Sequence, residues 1–392
     1  MPSTNMKIAL VHDYIKEFGG AERVLKVLAE MYPKAPIYTA FCVKDSAAGK
    51  EFEGKEIKES FLAPILKIGK LYSPLRFLTP LIWRSMDLSK FDLVIASSSW
   101  YITRGFKVGK NTKVICYCHT PPRWLYGYDT SIELQKYWPV KVYAAVVGHF
   151  LRLYDFVSAQ KPHEISKFKL PIFNPKSGVD IFIANSENVR KRIEKFYRRD
   201  AKVIYPPVDV ENIKKHAMDS KKQGKYFLIV SRLVGAKGLE EAARAFKNIK
   251  NTELRIVGEK SGYSRVEDGL MKLAGGNIKL LGRLTDEKLY EQLAGAKGFI
   301  ALARDEDFGM TVVEAMAAGT PVIAFNGGGF KESVVDGKTG ILINDTDEET
   351  IKKAVEKLIK TKWDKRVIQK NAMMFSRERF VEEVEYLVKK TE

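Results

Sequence analysis

The stretch "GFIALARDEDFGMTVVEAMAAGTPVIAF", residues 298–325, decides how the chain is read. Its apolar ends, 298–303 and 321–325, are near-continuous hydrophobic runs of the kind a parallel strand buried on both faces requires. Between them Gly309 is a poor interior helix residue, so 306–310 is expected as a loop. A helix then opens near Thr311 and stops at Gly319. Strand, helix and strand in succession make a βαβ unit. Glu314 is expected in the helix's first turn, beside its free N–H groups, and Glu306 just ahead of it. A helix start reached through a glycine loop suits an anion. Two carboxylates beside that anion are tolerable only if they face neutral hydroxyls, so a ligand that is part phosphate and part sugar fits.

The same alternation runs through the whole chain. Strands are expected at 7–13, 92–98, 113–119 and 180–186, and again at 226–231, 253–258, 278–282, 298–303 and 321–325. Amphipathic stretches such as "AERVLKVLAEMY" and "GLEEAARAFKNI" separate them. The prolines of "VIYPPVDVENI" (203–213) mark a join, and the lysine-rich "KKHAMDSKKQGK" after it is expected to be helix-poor. The expected fold is α/β, two Rossmann-like doubly wound parallel-sheet domains facing a cleft. The expected domains are 1–207 and 208–375. A last helix, 376–392, is expected to cross back to the first domain.

Composition narrows the partners. The chain has 392 residues and a formal net charge of +18, which calls for anionic partners. Its three cysteines cannot form a disulfide framework, so a reducing, cytoplasmic setting is expected. The opening residues lack the apolar run of a signal peptide, and no stretch approaches a membrane span. Nucleic acid is not expected as a partner, because no recognition-helix or aromatic-sheet motif accompanies the charge.

The chemistry-bearing residues follow strands at their carboxyl ends, where open α/β sheets bind ligands. "SRLVGAKG" (231–238) places Arg232 and Lys237 beside glycines, a forked and a mobile cation suited to a diphosphate. "FGGAE" offers Gly19 and Gly20 for close backbone approach, without a full dinucleotide fingerprint. "CYCHTPP" ends a strand with His119, suited to a sugar hydroxyl or the acceptor. Cys116 and Cys118 share one sheet face, and with His119 they lack the spacing of a closed zinc site. Asp305-Glu306-Asp307 fits a D-x-D metal pattern, but Arg232 and Lys237 already bring cationic charge, so no metal is expected. "FLAPILKIGKLYSPLRFLTPLIWRS" (61–85) has Lys67, Lys70, Arg76 and Arg84 and no acidic residue; with the basic 188–199 it is expected to touch an anionic membrane. A glycoside hydrolase using Glu306 and Glu314 would leave Arg232, Lys237 and the doubly wound pattern without purpose.

These motifs in this order closely resemble the retaining GT-B glycosyltransferases of family 4. "EDFGMTVVE" matches that family's E-x7-E signature, "SRLVGAKG" its diphosphate loop, "FGGAE" its first glycine loop and "GRLTDEKL" its base loop. "VHDYIKEFGGAERVL", "YCHTPPRWLYGYD" and "VIYPPVD" are similar to bacterial mannosyltransferases of surface-polysaccharide (O-antigen-like) assembly. The resemblance implies that Arg232 and Lys237 bind the donor diphosphate, Glu314 the ribose, and Glu306 the transferred sugar. Phe308, Gly309, Met310 and Thr311 would offer backbone N–H groups, Arg283 and Leu284 would meet the base, and His119 the transferred sugar. Gly19 and Gly20 would line the opposite side. It further implies GDP-mannose as donor, with a UDP- or ADP-sugar as the alternative. A lipid-linked or oligosaccharide acceptor, retention of configuration and peripheral association with the inner face of the cell membrane complete the expectation. The resemblance also makes 1–207 the acceptor-side domain and 208–375 the nucleotide-sugar-binding one, and the stretch 161–178, which departs from the family's usual connection, an inserted surface loop.

Overall fold

A computed structural model describes residues 6–69, 71–128, 138–165, 177–219, 224–259 and 266–391. Contacts divide the chain into two compact units, one built from residues up to 128, 138–207 and 380–391, the other from 208–379. The stretch 166–176, most of the expected insertion, lies outside the described residues, as does Lys70.

In the first unit, strands β1 (Ile8–His12), β2 (Ile37–Thr39), β3 (Ile57–Glu59), β4 (Leu93–Ser98), β5 (Lys113–Cys118), β6 (Ile181–Ala184) and β7 (Ala201–Val203) form one sheet. Its order is β3-β2-β1-β4-β5-β6-β7, and every pairing is parallel. In the second, β8 (Tyr226–Val230), β9 (Glu253–Val257), β10 (Ile278–Gly282), β11 (Gly298–Ala301), β12 (Val322–Phe325) and β13 (Gly340–Ile343) are ordered β10-β9-β8-β11-β12-β13, again all parallel. Both sheets are doubly wound, as the alternation of apolar runs requires. The order reverses between β1 and β4 in one sheet and between β8 and β11 in the other. Loops leaving the two strands on either side of such a reversal run in opposite directions and open a crevice.

Six helices matter below: α1 (Gly20–Met31), α2 (Trp138–Ser158), α3 (Glu187–Tyr197), α4 (Leu239–Lys247), α5 (Met310–Ala317) and α6 (Arg377–Lys389). Phe380, Val384, Leu387 and Val388 of α6 are buried with Leu10, Ile37, Leu93 and Tyr117 of the first unit's sheet, so the last helix is part of that unit's core. Among the described residues no helix is long and apolar enough to cross a membrane.

Three expectations need correction. The region after Pro207 is helical, Val210–Asp219, despite its lysines. Val210 and Ile213 are buried there, and the His216 ring lies against Tyr290 at 5.6 Å, so tertiary packing overrides the polar composition. Arg76 is not an outward cation. It is 9% exposed, its guanidinium lies 4.7 Å and 4.5 Å from the rings of Trp100 and Trp124, and its Nε donates to the Ser73 carbonyl. In 188–199, Arg192 is buried, donating to Thr120 and lying over the Tyr128 ring, while buried Arg199 donates to the Ala159 carbonyl.

Helix α2 is anchored by a buried ion pair between Asp155 and Arg104. Tyr126 donates to Asp155 Oδ2 at 2.7 Å, Tyr197 of α3 to Oδ1 at 3.2 Å, and Tyr154 to the Arg104 carbonyl at 2.7 Å. Removing the carboxylate would strand a guanidinium away from water. Asp155→Ala is therefore expected to lower the unfolding free energy by about 3–5 kcal/mol. Chemical denaturation measures this; a loss near that of an exposed pair would show that the charge is relieved in some other way.

Candidate donor site and a relay in the first unit

The second unit gathers its expected site residues at the β8/β11 reversal. Strand β8 ends at Val230, exposed Arg232 follows, and a short turn, Gly235–Lys237, leads into α4. Gly238 closes that turn at φ +68, and a Cβ there would lie 2.6 Å from the Leu302 Cβ. Only glycine lets the loop after β8 come this close to the loop after β11. Across that contact Lys237 Nζ lies 2.5 Å from Glu306 Oε2, with both side chains about four-fifths covered (24% and 18% exposed).

The Glu306 loop is held from below. The Phe308 ring is buried and lies 5.4 Å from that of Phe375. The Glu306 carbonyl accepts from Gly329 N at 2.9 Å. Gly309 then caps α5 at φ +91, in a position where a Cβ would meet the Phe330 ring at 2.5 Å. Gly309 has no side chain with which to cap this helix start, and the first N–H groups, at Met310 and Thr311, have no acceptor within the helix. The helix ends as expected, with Gly319 N donating to Met316 O and Thr320 N to Ala315 O, the pattern of a Schellman stop.

Glu314 stands differently from expectation. With Gly309 as cap the helix opens at Met310, which makes Glu314 its fifth residue, past the first turn, and 5% exposed. Arg283 is exposed, and its guanidinium sits 3.2 Å from Glu259 in the loop after β9; Leu284 beside it is half-buried. The unit therefore brings Arg232, Lys237, Glu306, Gly309 and the start of α5 to one reversal. Glu259 and Gly329 were not anticipated. The glycine run "NGGGF" was the available signal for the second; nothing local marked the first.

In the first unit Gly19 precedes α1 and Gly20 begins it, neither with positive φ. His119 follows β5 and is buried. Three residues that sequence reasoning passed over connect these motifs. Glu22 accepts from Gly19 N at 2.9 Å, and its Oε1 lies 3.4 Å from His12 Nε2. His12 Nδ1 is 3.0 Å from Ser97 Oγ, which is 2.8 Å from His119 Nε2. Burial raises the Glu22 carboxyl, but the hydrogen bond and charge of His12 and the Gly19 N–H outweigh it and hold the group below its ordinary range. Asp13, also buried, accepts from Ser99 Oγ at 2.9 Å and Trp100 N at 2.6 Å, tying the loops after β1 and β4 together. A glutamate three residues after Gly19, in capping-box spacing, was the one legible hint.

The relay has a direction. An ionised Glu22 can only accept, so His12 carries its proton on Nε2. In its neutral form His12 accepts at Nδ1 from the Ser97 hydroxyl, whose oxygen in turn accepts from His119 Nε2–H. With its proton on Nε2, His119 has Nδ1 as its acceptor nitrogen. At about pH 8, 15N spectra of the histidine rings are expected to show His119 protonated at Nε2, and Ser97→Ala to mix its tautomers. A Nδ1-protonated His119 in the intact chain would contradict the relay.

Residues 18–212 match the family model described as Glycosyltransferase Family 4, and residues 210–374 that described as Glycosyl transferases group 1. The chain is similar to "Alpha-1,3/1,6-mannosyltransferase ALG2" of Dictyostelium discoideum, 26% identical over 66% of this chain and 64% of that one. It is equally similar, at 26% identity over 76% of this chain and 77% of the other, to an uncharacterized protein of the cps region of Klebsiella pneumoniae. It spans about half the length (55%) of each of two uncharacterized glycosyltransferases of Methanocaldococcus jannaschii. Its fold is similar to that of Anabaena HepE in complex with UDP and glucose, with a TM-score of 0.64, 18% identity and 99% of both chains covered. Two consecutive glycosyltransferase family models thus span residues 18–374, and with its two all-parallel sheets the chain has the GT-B fold.

Proposed function

We propose that the protein is a retaining glycosyltransferase that moves mannose from GDP-mannose to a lipid-linked or oligosaccharide acceptor in cell-surface polysaccharide synthesis. The observation that carries the reading is the bridge between Lys237 and Glu306 across the β8/β11 reversal, with Arg232 in the same loop as Lys237 and the glycine-capped start of α5 next in the chain after Glu306. A cation pair and free backbone N–H groups suit a diphosphate, while a neighbouring carboxylate suits sugar hydroxyls. The mannosyl donor draws support from the likeness to a mannosyltransferase, and the polysaccharide context from the likeness to a cps-region protein. A UDP-sugar is the second reading, since the similar HepE fold holds UDP and glucose.

On this reading Arg232 and Lys237 bind the departing diphosphate and stabilise the charge that gathers on it as the glycosidic bond breaks. Lys237 exchanges its Glu306 contact for phosphate oxygen, which leaves Glu306 to hold hydroxyls of the sugar. Glu314 takes the ribose hydroxyls, the N–H groups of Phe308, Gly309, Met310 and Thr311 serve sugar and phosphate, and Arg283 with Leu284 meets the base. His119 accepts from a sugar hydroxyl, and Gly19 and Gly20 let the acceptor side approach backbone. The leaving phosphate takes the acceptor's proton on the face where the new bond forms. No protein nucleophile and no metal enter the reaction.

Two measurements test this. In a thermal-shift panel of GDP, UDP, ADP and their sugars, GDP and GDP-mannose are expected to raise the melting temperature most, because a ligand selective for the native state stabilises it. Stabilisation by UDP alone would remove the mannose assignment. Arg232→Ala is expected to depress kcat by about a hundredfold or more, since its charge acts on the transition state. A change confined to KM would reject that role.

A further inference from the structure

Arg76 is a buried cation with no anion beside it. It is 9% exposed, and the groups whose charge bears on it are the phenols of Tyr143, Tyr101 and Tyr14, with no carboxylate among the described residues. Its Nε donates to the Ser73 carbonyl at 2.7 Å and its Nη2 to the Ser73 hydroxyl at 3.0 Å. Nη1 has no acceptor among the described residues and is not sealed from solvent. The Trp100 and Trp124 rings, 4.7 Å and 4.5 Å away, offset part of the cost of taking the charge out of water, but they give Nη1 nothing to donate to.

A second cation stands on the same aromatic floor. Lys16 Nζ lies 4.6 Å from the centre of the Tyr72 ring, which is 6.1 Å from that of Trp100 and 5.5 Å from that of Tyr14. Half-buried Lys16 also makes no ion pair among the described residues. Lys16 lies in the loop after β1, just before Gly19; Trp100 follows β4, and Trp124 follows His119 after β5. Asp13 accepts from Trp100 N, and Trp124 Nε1 donates to the Trp100 carbonyl at 3.3 Å, so three loops fix the floor at the end of the sheet that carries His119. Ligands of open α/β sheets bind at this carboxyl end.

Two uncompensated cations match two negative charges. A phosphate monoester or a diphosphate diester carries about two near neutral pH, a carboxylate only one. A guanidinium nitrogen and an ammonium together suit such an oxygen-rich group. We propose that Lys16 and Arg76, on the floor of Tyr72 and Trp100, bind a phosphate or diphosphate group carried by the acceptor. Its assignment to the acceptor rests on the reading of the first unit as the acceptor side. The anion site itself does not, and it shares no residue with the donor site.

The test is calorimetric titration of the full chain carrying Arg232→Ala/Lys237→Ala, which removes the donor-side cations. The probes are methyl phosphate and symmetrical dimethyl diphosphate, both dianions at pH 8, and acetate. One saturable site is expected for at least one dianion, with acetate bound about tenfold or more weakly. Tighter binding of the diester assigns a diphosphate-linked acceptor, and tighter or equal binding of methyl phosphate a phosphorylated sugar. Adding Lys16→Ala, or separately Arg76→Gln, is expected to weaken binding about tenfold. Lys16 makes no hydrogen bond from its side chain among the described residues, so its variant is expected to keep the parent's circular dichroism and decides the matter should Arg76→Gln unfold. No saturable binding, acetate bound as well as the dianions, or a Lys16→Ala variant that binds like its parent would overturn the proposal. The donor reading is tested separately by the nucleotide panel, so either can fail without the other.

Discussion

One ion pair, Lys237 with Glu306, joins the two loops that leave the C-terminal sheet on either side of its reversal. It contributes little to stability, because a partly exposed pair of this kind is worth on the order of 1 kcal/mol or less. Its consequence is positional. It holds an ammonium and a carboxylate together at the end of β8, where Gly238 allows the backbones to meet and Gly309 aims a helix start from the other side. Without that approach the cations of one loop and the N–H groups of the other would serve separate surfaces.

The first unit solves the same problem with neutral and buried groups. Its reversal is bridged by Asp13 reaching the loop after β4, and by the relay from Glu22 through His12 and Ser97 to His119. One sheet order, used twice, thus presents a cationic end in one unit and a polar hydrogen-bonding end in the other.

How much of this could be read in advance follows from how local each cause is. The central strands announced themselves because burial on both faces forces continuous apolar runs, as in β1, β4 and β8. Strands β2, β3 and β7 have three residues each, too short to show a pattern, and were missed. Arg232, Lys237 and Glu306 were legible because they sit just past strands. Asp13, Glu22 and Ser97 were not, since their meaning lies in partners distant in sequence, as when Ser97 bridges His12 and His119. Glu314 was misplaced by one helical position because the glycine cap acts one residue earlier than the pattern implied. The charge of +18 was legible as a number but not as a surface, for Arg76, Arg104, Arg192 and Arg199 are all buried.

The central claim is that the end of β8 holds the donor's diphosphate. A crystal soaked with GDP tests it most directly. The account predicts the β-phosphate within hydrogen-bond reach of Lys237 Nζ and the Arg232 guanidinium, with the ammonium drawn off Glu306. Diphosphate density lying elsewhere, with the Lys237–Glu306 contact intact and Arg232 turned to solvent, would contradict it.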